Sequence, residues 1–78
     1  MLLTREFGQT LRQLRLAAGL TPTRLAQRCR VTPATIGKAE SGLSEPRLSL
    51  ILILCDGLGV TPDTLIGELP VPRERRNS

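Results

Sequence analysis

The chain has 78 residues, a length that allows one domain with a single modest core. Its hydrophobic content is 40%, but Phe7 is the one aromatic residue, so Leu, Ile, Val and Ala must form the core, which favours packed helices over a β-sandwich. The net charge of +4 is compatible with nucleic-acid binding without requiring it, and two cysteines without any histidine are too few ligands for a zinc site.

Three Thr-Pro pairs predict helix starts, because each places a hydroxyl at an N-cap and a proline at the first helical position, where its missing N–H costs nothing. Helical spacing of apolar residues then predicts five helices and no strands, so the expected fold class is all-α. Their expected ranges are 4–18, 22–28, 33–40, 47–58 and 62–66. The stripe on the first helix is Phe7, Leu11, Leu14 and Ala18, and Leu25, Ala26 and Leu65 are further core residues.

The chain is expected to divide into a folded domain over residues 1–69 and a disordered basic tail over residues 70–78, PVPRERRNS. The N-terminus turns polar too early for a signal peptide, and the apolar run LSLILILC is too short to span a bilayer. These features predict a cytoplasmic protein without a membrane contact. Cys29 and Cys55 are expected to be reduced, half-buried core residues.

Only four residues separate the second and third predicted helices, and so short a connection makes the two helices cross steeply. That geometry is typical of a helix-turn-helix, although an ordinary helical corner has the same spacing. The longer pattern is more informative. From Phe7 to Gly67 the segments LRQLRLAAGLT, LAQRCRVTPATI, KAESG and PRLSLILILCDGLGVTPDTLIG together resemble the Cro/CI-type, lambda-repressor-like family of regulators, also called the xenobiotic-response-element family.

The resemblance implies a compact five-helix domain whose third helix enters the DNA major groove while the second lies across the backbone. It places four residues at base edges: Pro33, Ala34, Gly37 and Lys38. Positions that face phosphates in the family correspond to Thr21, Pro22, Thr32, Thr35, Ser41 and Arg47. Arg24, Arg28 and Arg30 flank the turn and are expected to extend this phosphate-facing set, whereas Arg12 is expected to be solvated.

The chain departs from the family at several of these positions. Pro22 replaces a frequent glutamine, and the usually basic loop after Gly42 is Leu43-Ser44-Glu45. The base-facing set lacks the amides and arginines that make paired hydrogen bonds to bases, so modest sequence selectivity is expected. For Gly37, close approach to DNA, close helix packing and simple tolerance are all compatible with the sequence. The resemblance also implies a largely buried structural ion pair between Arg15 and Glu40.

The fourth predicted helix is apolar nearly all round. Leu48, Ile51, Leu52, Cys55 and Leu58 are assigned to the core stripe, which leaves a second apolar face of Leu50, Ile53, Leu54 and Gly57. A homodimer through that face is the expected explanation, with two third helices about 34 Å apart. Alternatively, Met1-Leu2-Leu3 or Pro70-Val71-Pro72 covers it and leaves a monomer.

The combined prediction is a modestly selective DNA-binding transcriptional regulator that acts on double-stranded DNA as a homodimer. No enzyme activity is expected, because the chain has no histidine, no well-placed acidic pair and no Gly-rich phosphate loop. Neither a cofactor nor a small-molecule effector is expected. The alternative is a protein-interaction module that keeps the fold and binds another regulator or a toxin-like partner instead of DNA.

Overall fold

A computed structural model describes residues 4–43 and 45–66, and within these ranges the chain forms five α-helices and no strand. In chain order they are α1 (Thr4–Ala17), α2 (Pro22–Cys29), α3 (Pro33–Ser41), α4 (Leu48–Leu58) and α5 (Pro62–Ile66). The predicted all-α fold is confirmed, and each predicted boundary is correct to within one residue. The predicted tail, residues 70–78, lies outside the described ranges, as do residues 1–3.

All three Thr-Pro helix starts are present. The hydroxyl of each threonine accepts a hydrogen bond from the backbone N–H three residues later, at 3.1 Å for Thr21, 3.2 Å for Thr32 and 3.3 Å for Thr61. Each of these helices therefore begins where a local side-chain contact satisfies one of its unpaired N–H groups.

The core lies where the helices meet. Helix α1 packs against α3 and α5, α2 packs against α3 and α4, and α4 also contacts α5. The fully buried large side chains come from all five helices: Phe7, Leu11, Leu25, Ile36, Leu54 and Leu65. Among the described residues, this arrangement leaves one side of α3 without a covering element. The predicted core position Ala18 is exposed, because α1 ends before it.

Helices α1 and α3 touch backbone to backbone at Gly8. A Cβ atom at this position would clash with the carbonyl oxygen of Glu40 and would lie 2.7 Å from that of Ala39. Only glycine therefore permits this crossing, which brings α1 against the last turn of α3. No local feature of the sequence indicated this contact at Gly8.

The core-facing side of α4 differs from the predicted stripe. Leu48 is 68% exposed and Leu52 is 49% exposed, whereas Leu54, predicted to lie on the second face, is completely buried. The inward residues are Ile51, Leu54 and Cys55, with Leu58 partly buried against them. In a helix that is apolar on every side, spacing alone does not determine which side turns inward.

Candidate nucleic-acid interface

The uncovered side of α3 carries the four residues predicted to face bases. Pro33, Ala34, Gly37 and Lys38 are all exposed, and we call them the recognition face. The opposite side of the same helix is anchored by the buried residues Ile36 and Ala39. A Cβ atom added to Gly37 would meet nothing within 4 Å, so this glycine is not required for helix packing within the chain.

The hydroxyl groups around the recognition face already have partners within the chain. Thr32 Oγ1 accepts from the Thr35 backbone N–H and shares a 3.0 Å hydrogen bond with Thr35 Oγ1. Ser41 Oγ donates to the Lys38 carbonyl oxygen at 3.2 Å. Thr21 caps α2 in the same way as Thr32 caps α3. The threonines expected at phosphates therefore serve first to define where α2 and α3 begin.

The predicted phosphate-facing arginines, Arg24, Arg28, Arg30 and Arg47, are all exposed. Arg28 and Arg30 line a surface groove between α2 and α4, which we call the α2–α4 groove. Its other lining residues are Cys29, Leu52, Ile53 and Asp56. Arg24 lies outside this groove, and Arg47 is the N-cap residue of α4 without a side-chain cap bond. Arg24 precedes Arg28 by one turn on α2, and Lys38 lines a smaller pocket with Pro46 and Leu50 at the start of α4.

Arg30 adopts a left-handed backbone conformation at the end of α2, with φ of 60°. Its N–H closes the helix by donating toward the carbonyls of Ala26 and Gln27. An L-residue with a side chain costs about 1–2 kcal/mol in this conformation, which is why glycine is common there. Arg30 thus presents an exposed guanidinium at the turn, although its backbone conformation disfavours any residue with a side chain.

The predicted ion pair between Arg15 and Glu40 is present. Arg15 Nε lies 2.6 Å from Glu40 Oε2, Nη2 lies 3.1 Å from Oε1, and Nη1 donates to the Leu20 carbonyl oxygen at 2.9 Å. The two side chains are 7% and 12% exposed. The hydrogen bond to Glu40 raises the pKa of Arg15 above its ordinary value, against an opposing effect of burial. The pair connects α1, the turn after it and the last turn of α3, so it holds α3 in place.

The predicted dimer surface requires correction. Leu54 is completely buried in the core of the single chain, and a Cβ atom at Gly57 would clash with Cys29 Sγ, so both residues face inward. Leu50 is partly buried against the core, and Ile53 is 39% exposed. Leu48 and Leu52, predicted to lie on the core stripe, are exposed instead; together with Ile53 they are the exposed large apolar side chains of α4, which we call the outer face of α4.

Other kinds of site find no support in residues 4–43 and 45–66. No three His, Cys, Asp or Glu side chains in these ranges come together to hold a metal ion. None of the helices described is long and apolar enough to cross a membrane.

Comparison with known proteins is consistent with this geometry. Residues 6–69 match the family model described as a helix-turn-helix domain. The restriction-modification controller protein C.AhdI from Aeromonas hydrophila is 35% identical, with a TM-score of 0.77 over 80% of this chain and 94% of that one. The clp gene regulator ClgR from Corynebacterium glutamicum is 32% identical, with a TM-score of 0.78 over 92% of this chain and 99% of that one.

A third solved structure supports the fold alone. The HTH_3 family transcriptional regulator from Vibrio cholerae has a TM-score of 0.80 at 24% identity, over 85% of this chain and 37% of that one. A comparison with curated proteins finds no match. The family model covers most of the chain, and the matched segment contains α2, α3 and the three-residue turn between them. The chain therefore belongs to the helix-turn-helix domain family of Cro/CI-like regulators.

Proposed function

We propose that this chain is a DNA-binding transcriptional regulator whose third helix enters the major groove. The observation that carries the proposal is the uncovered side of α3, where four residues are exposed at the point at which the fold would meet a duplex. The related C.AhdI and ClgR are a restriction-modification controller and a clp gene regulator. We also propose that the protein is cytoplasmic, associates with the nucleoid and has no catalytic activity.

Phosphate contacts supply most of the affinity in this proposal. Lys38 on the recognition face and Arg24 on α2 lie outside the α2–α4 groove, so they are the first candidates for the duplex. Thr21, Thr32, Thr35, Ser41 and Arg47 remain further candidates at the edges of the same surface. Arg28 and Arg30, which line the groove, are further candidates.

The test measures binding to a 30-bp duplex by fluorescence anisotropy at several salt concentrations. Lys38→Ala should weaken binding and reduce the salt slope by about one unit, because one fewer phosphate counterion is released. Arg12→Ala, which removes an exposed arginine from α1, is the matched control and should leave the slope unchanged. Salt-independent affinity, or identical behaviour of both variants, would instead favour the protein-interaction module.

We also propose that the regulator is a homodimer through the outer face of α4. Leu48, Leu52 and Ile53 are exposed there, and burial of each large aliphatic side chain contributes roughly 1.5–3 kcal/mol. The α2–α4 groove borders this face with arginines on one helix and Asp56 on the other, so a two-fold arrangement can pair opposite charges. Two third helices would then meet successive major grooves about 34 Å apart.

The variant Leu52→Glu with Ile53→Lys should remain folded but sediment as a monomer. Leu16→Glu is the control, since Leu16 is an exposed leucine of α1 away from this face. Sedimentation equilibrium at micromolar concentration measures both. If the native protein is already monomeric under these conditions, the proposed dimer is wrong. DNA binding by a single domain would then be tested separately by the anisotropy measurement.

A further inference from the structure

The chemistry of the recognition face is unusual for a surface that distinguishes bases. Three of its four residues, Pro33, Ala34 and Gly37, present only ring carbons, a methyl group or bare backbone. A Cβ atom at Gly37 would meet nothing within 4 Å apart from its chain neighbours, and Pro33 and Ala34 are exposed beside it. An apolar, shallow face of this kind can approach the floor of a groove closely.

Polar readout from the neighbouring residues is limited by their contacts within the chain. The Thr32 and Thr35 hydroxyls bond to each other, and the Ser41 hydroxyl donates to the Lys38 carbonyl oxygen. Within the recognition face itself, Lys38 is the one residue with a polar side chain. Its ammonium can donate to guanine or to a phosphate but cannot accept a hydrogen bond from adenine or cytosine amino groups.

In the major groove, the one apolar group at a base edge is the C5-methyl of thymine. The same position carries the methyl group of 5-methylcytosine, which otherwise keeps the hydrogen-bonding pattern of cytosine. We infer that the recognition face, through Pro33 and Ala34, reads the C5-methyl groups of pyrimidines, so that methyl content rather than hydrogen-bonding pattern dominates its direct selectivity. This inference rests on the proposed DNA binding.

The expected size of the effect follows from burial of one methyl group. At about 0.8 kcal/mol per buried carbon, each contacted methyl changes affinity about fourfold, or about 15-fold where both protomers of a dimer make the contact. Lys38 adds affinity that does not depend on the methyl group. The two contributions can therefore be separated by one variant at each position.

The experiment begins with a 30-bp duplex that the protein selects from a randomised pool. Its affinity is compared with that of the same sequence containing uracil for thymine, and with that containing 5-methylcytosine for cytosine. Removal of the thymine methyls should weaken binding about four- to 15-fold. Replacement of cytosine by 5-methylcytosine should strengthen binding where a cytosine lies at a contacted position. The two modified duplexes therefore distinguish thymine from 5-methylcytosine as the source of the contacted methyl group.

Two variants assign the effect to residues. Ala34→Gly should reduce the difference between the thymine and uracil duplexes, with Ala34→Ser as the substitute if the glycine variant fails to fold by circular dichroism. Lys38→Ala should weaken binding to both duplexes equally and keep their ratio. Equal affinity of the native protein for both duplexes would overturn the methyl readout alone, whereas failure to bind any duplex would overturn the proposed function.

Discussion

Arg15 and Glu40 form a two-point contact that joins the end of α1 to the last turn of α3, with Nε to Oε2 at 2.6 Å and Nη2 to Oε1 at 3.1 Å. Glu40 is the second-last residue of α3, so this contact and the Gly8 crossing hold the same end of that helix. The orientation of the recognition face thus depends on residues that would not themselves touch DNA.

The ion pair predicts a large difference between two glutamate variants. Glu40→Ala leaves the Arg15 guanidinium buried with only the Leu20 carbonyl as partner, and should lower the free energy of unfolding by about 3–5 kcal/mol. Glu45→Ala removes an exposed carboxylate and should change it by less than about 0.5 kcal/mol. Urea unfolding of both variants measures the difference, and equal midpoints would show that the pair does not stabilise the fold.

Two of the helical glycines, Gly8 and Gly37, should respond in opposite directions to alanine. Gly37→Ala meets open space and should raise the free energy of unfolding by about 1 kcal/mol through helix propensity. Gly8→Ala places a methyl group against the α3 backbone and should lower it by about 1–3 kcal/mol. Thermal unfolding of the matched pair checks this, and stabilisation by both substitutions would contradict the close crossing of α1 and α3.

Arg30 should show a trade-off between stability and DNA binding. Arg30→Gly relieves the left-handed conformation at φ of 60° and should raise the free energy of unfolding by about 1 kcal/mol. If the guanidinium reaches a phosphate, the same variant should lose affinity and about one unit of salt slope. Arg30→Asn, which tolerates this backbone conformation without the charge, is the control for binding. A less stable glycine variant would refute the strain argument.

The buried thiols predict a loss of stability in alkali. Burial raises the pKa of both Cys29 and Cys55 above the ordinary value of 9.0, and the nearby Asp56 carboxylate adds to the shift at Cys29. The folded chain therefore keeps its thiol protons at a pH where the unfolded chain releases them. The contribution of this difference to the free energy of unfolding is fully present below pH 9.0. It is lost as the pH rises from there towards the folded-state pKa values.

Unfolding free energies between pH 8 and 10 measure this slope, and Cys29→Ala with Cys55→Ala should reduce it. At neutral pH, iodoacetamide should alkylate the folded chain much more slowly than the chain in denaturant. Rapid alkylation of both thiols in the folded chain would be incompatible with their burial.

Much of the fold was predictable because its signals are local. A threonine hydroxyl caps the N–H three residues later whatever the rest of the chain does, so three Thr-Pro pairs identified three helix starts. The stripe of Phe7 and Leu11 identified the buried side of α1 because the remaining residues of that helix are mostly polar. The exposure of Pro33, Ala34, Gly37 and Lys38 followed from the resemblance, and their contacts with bases stay a prediction.

The tertiary structure decided what local signals leave open. In α4, LSLILILC is apolar on every side, so only packing against α2 and α5 determined that Leu54 faces inward and Leu52 outward. The need for glycine at position 8 arises from the α3 backbone, which lies more than thirty residues away in the chain. Arg28 and Arg30 flank the turn in sequence but lie beside α4 in space, because helix rotation is set by core contacts rather than by spacing along the chain.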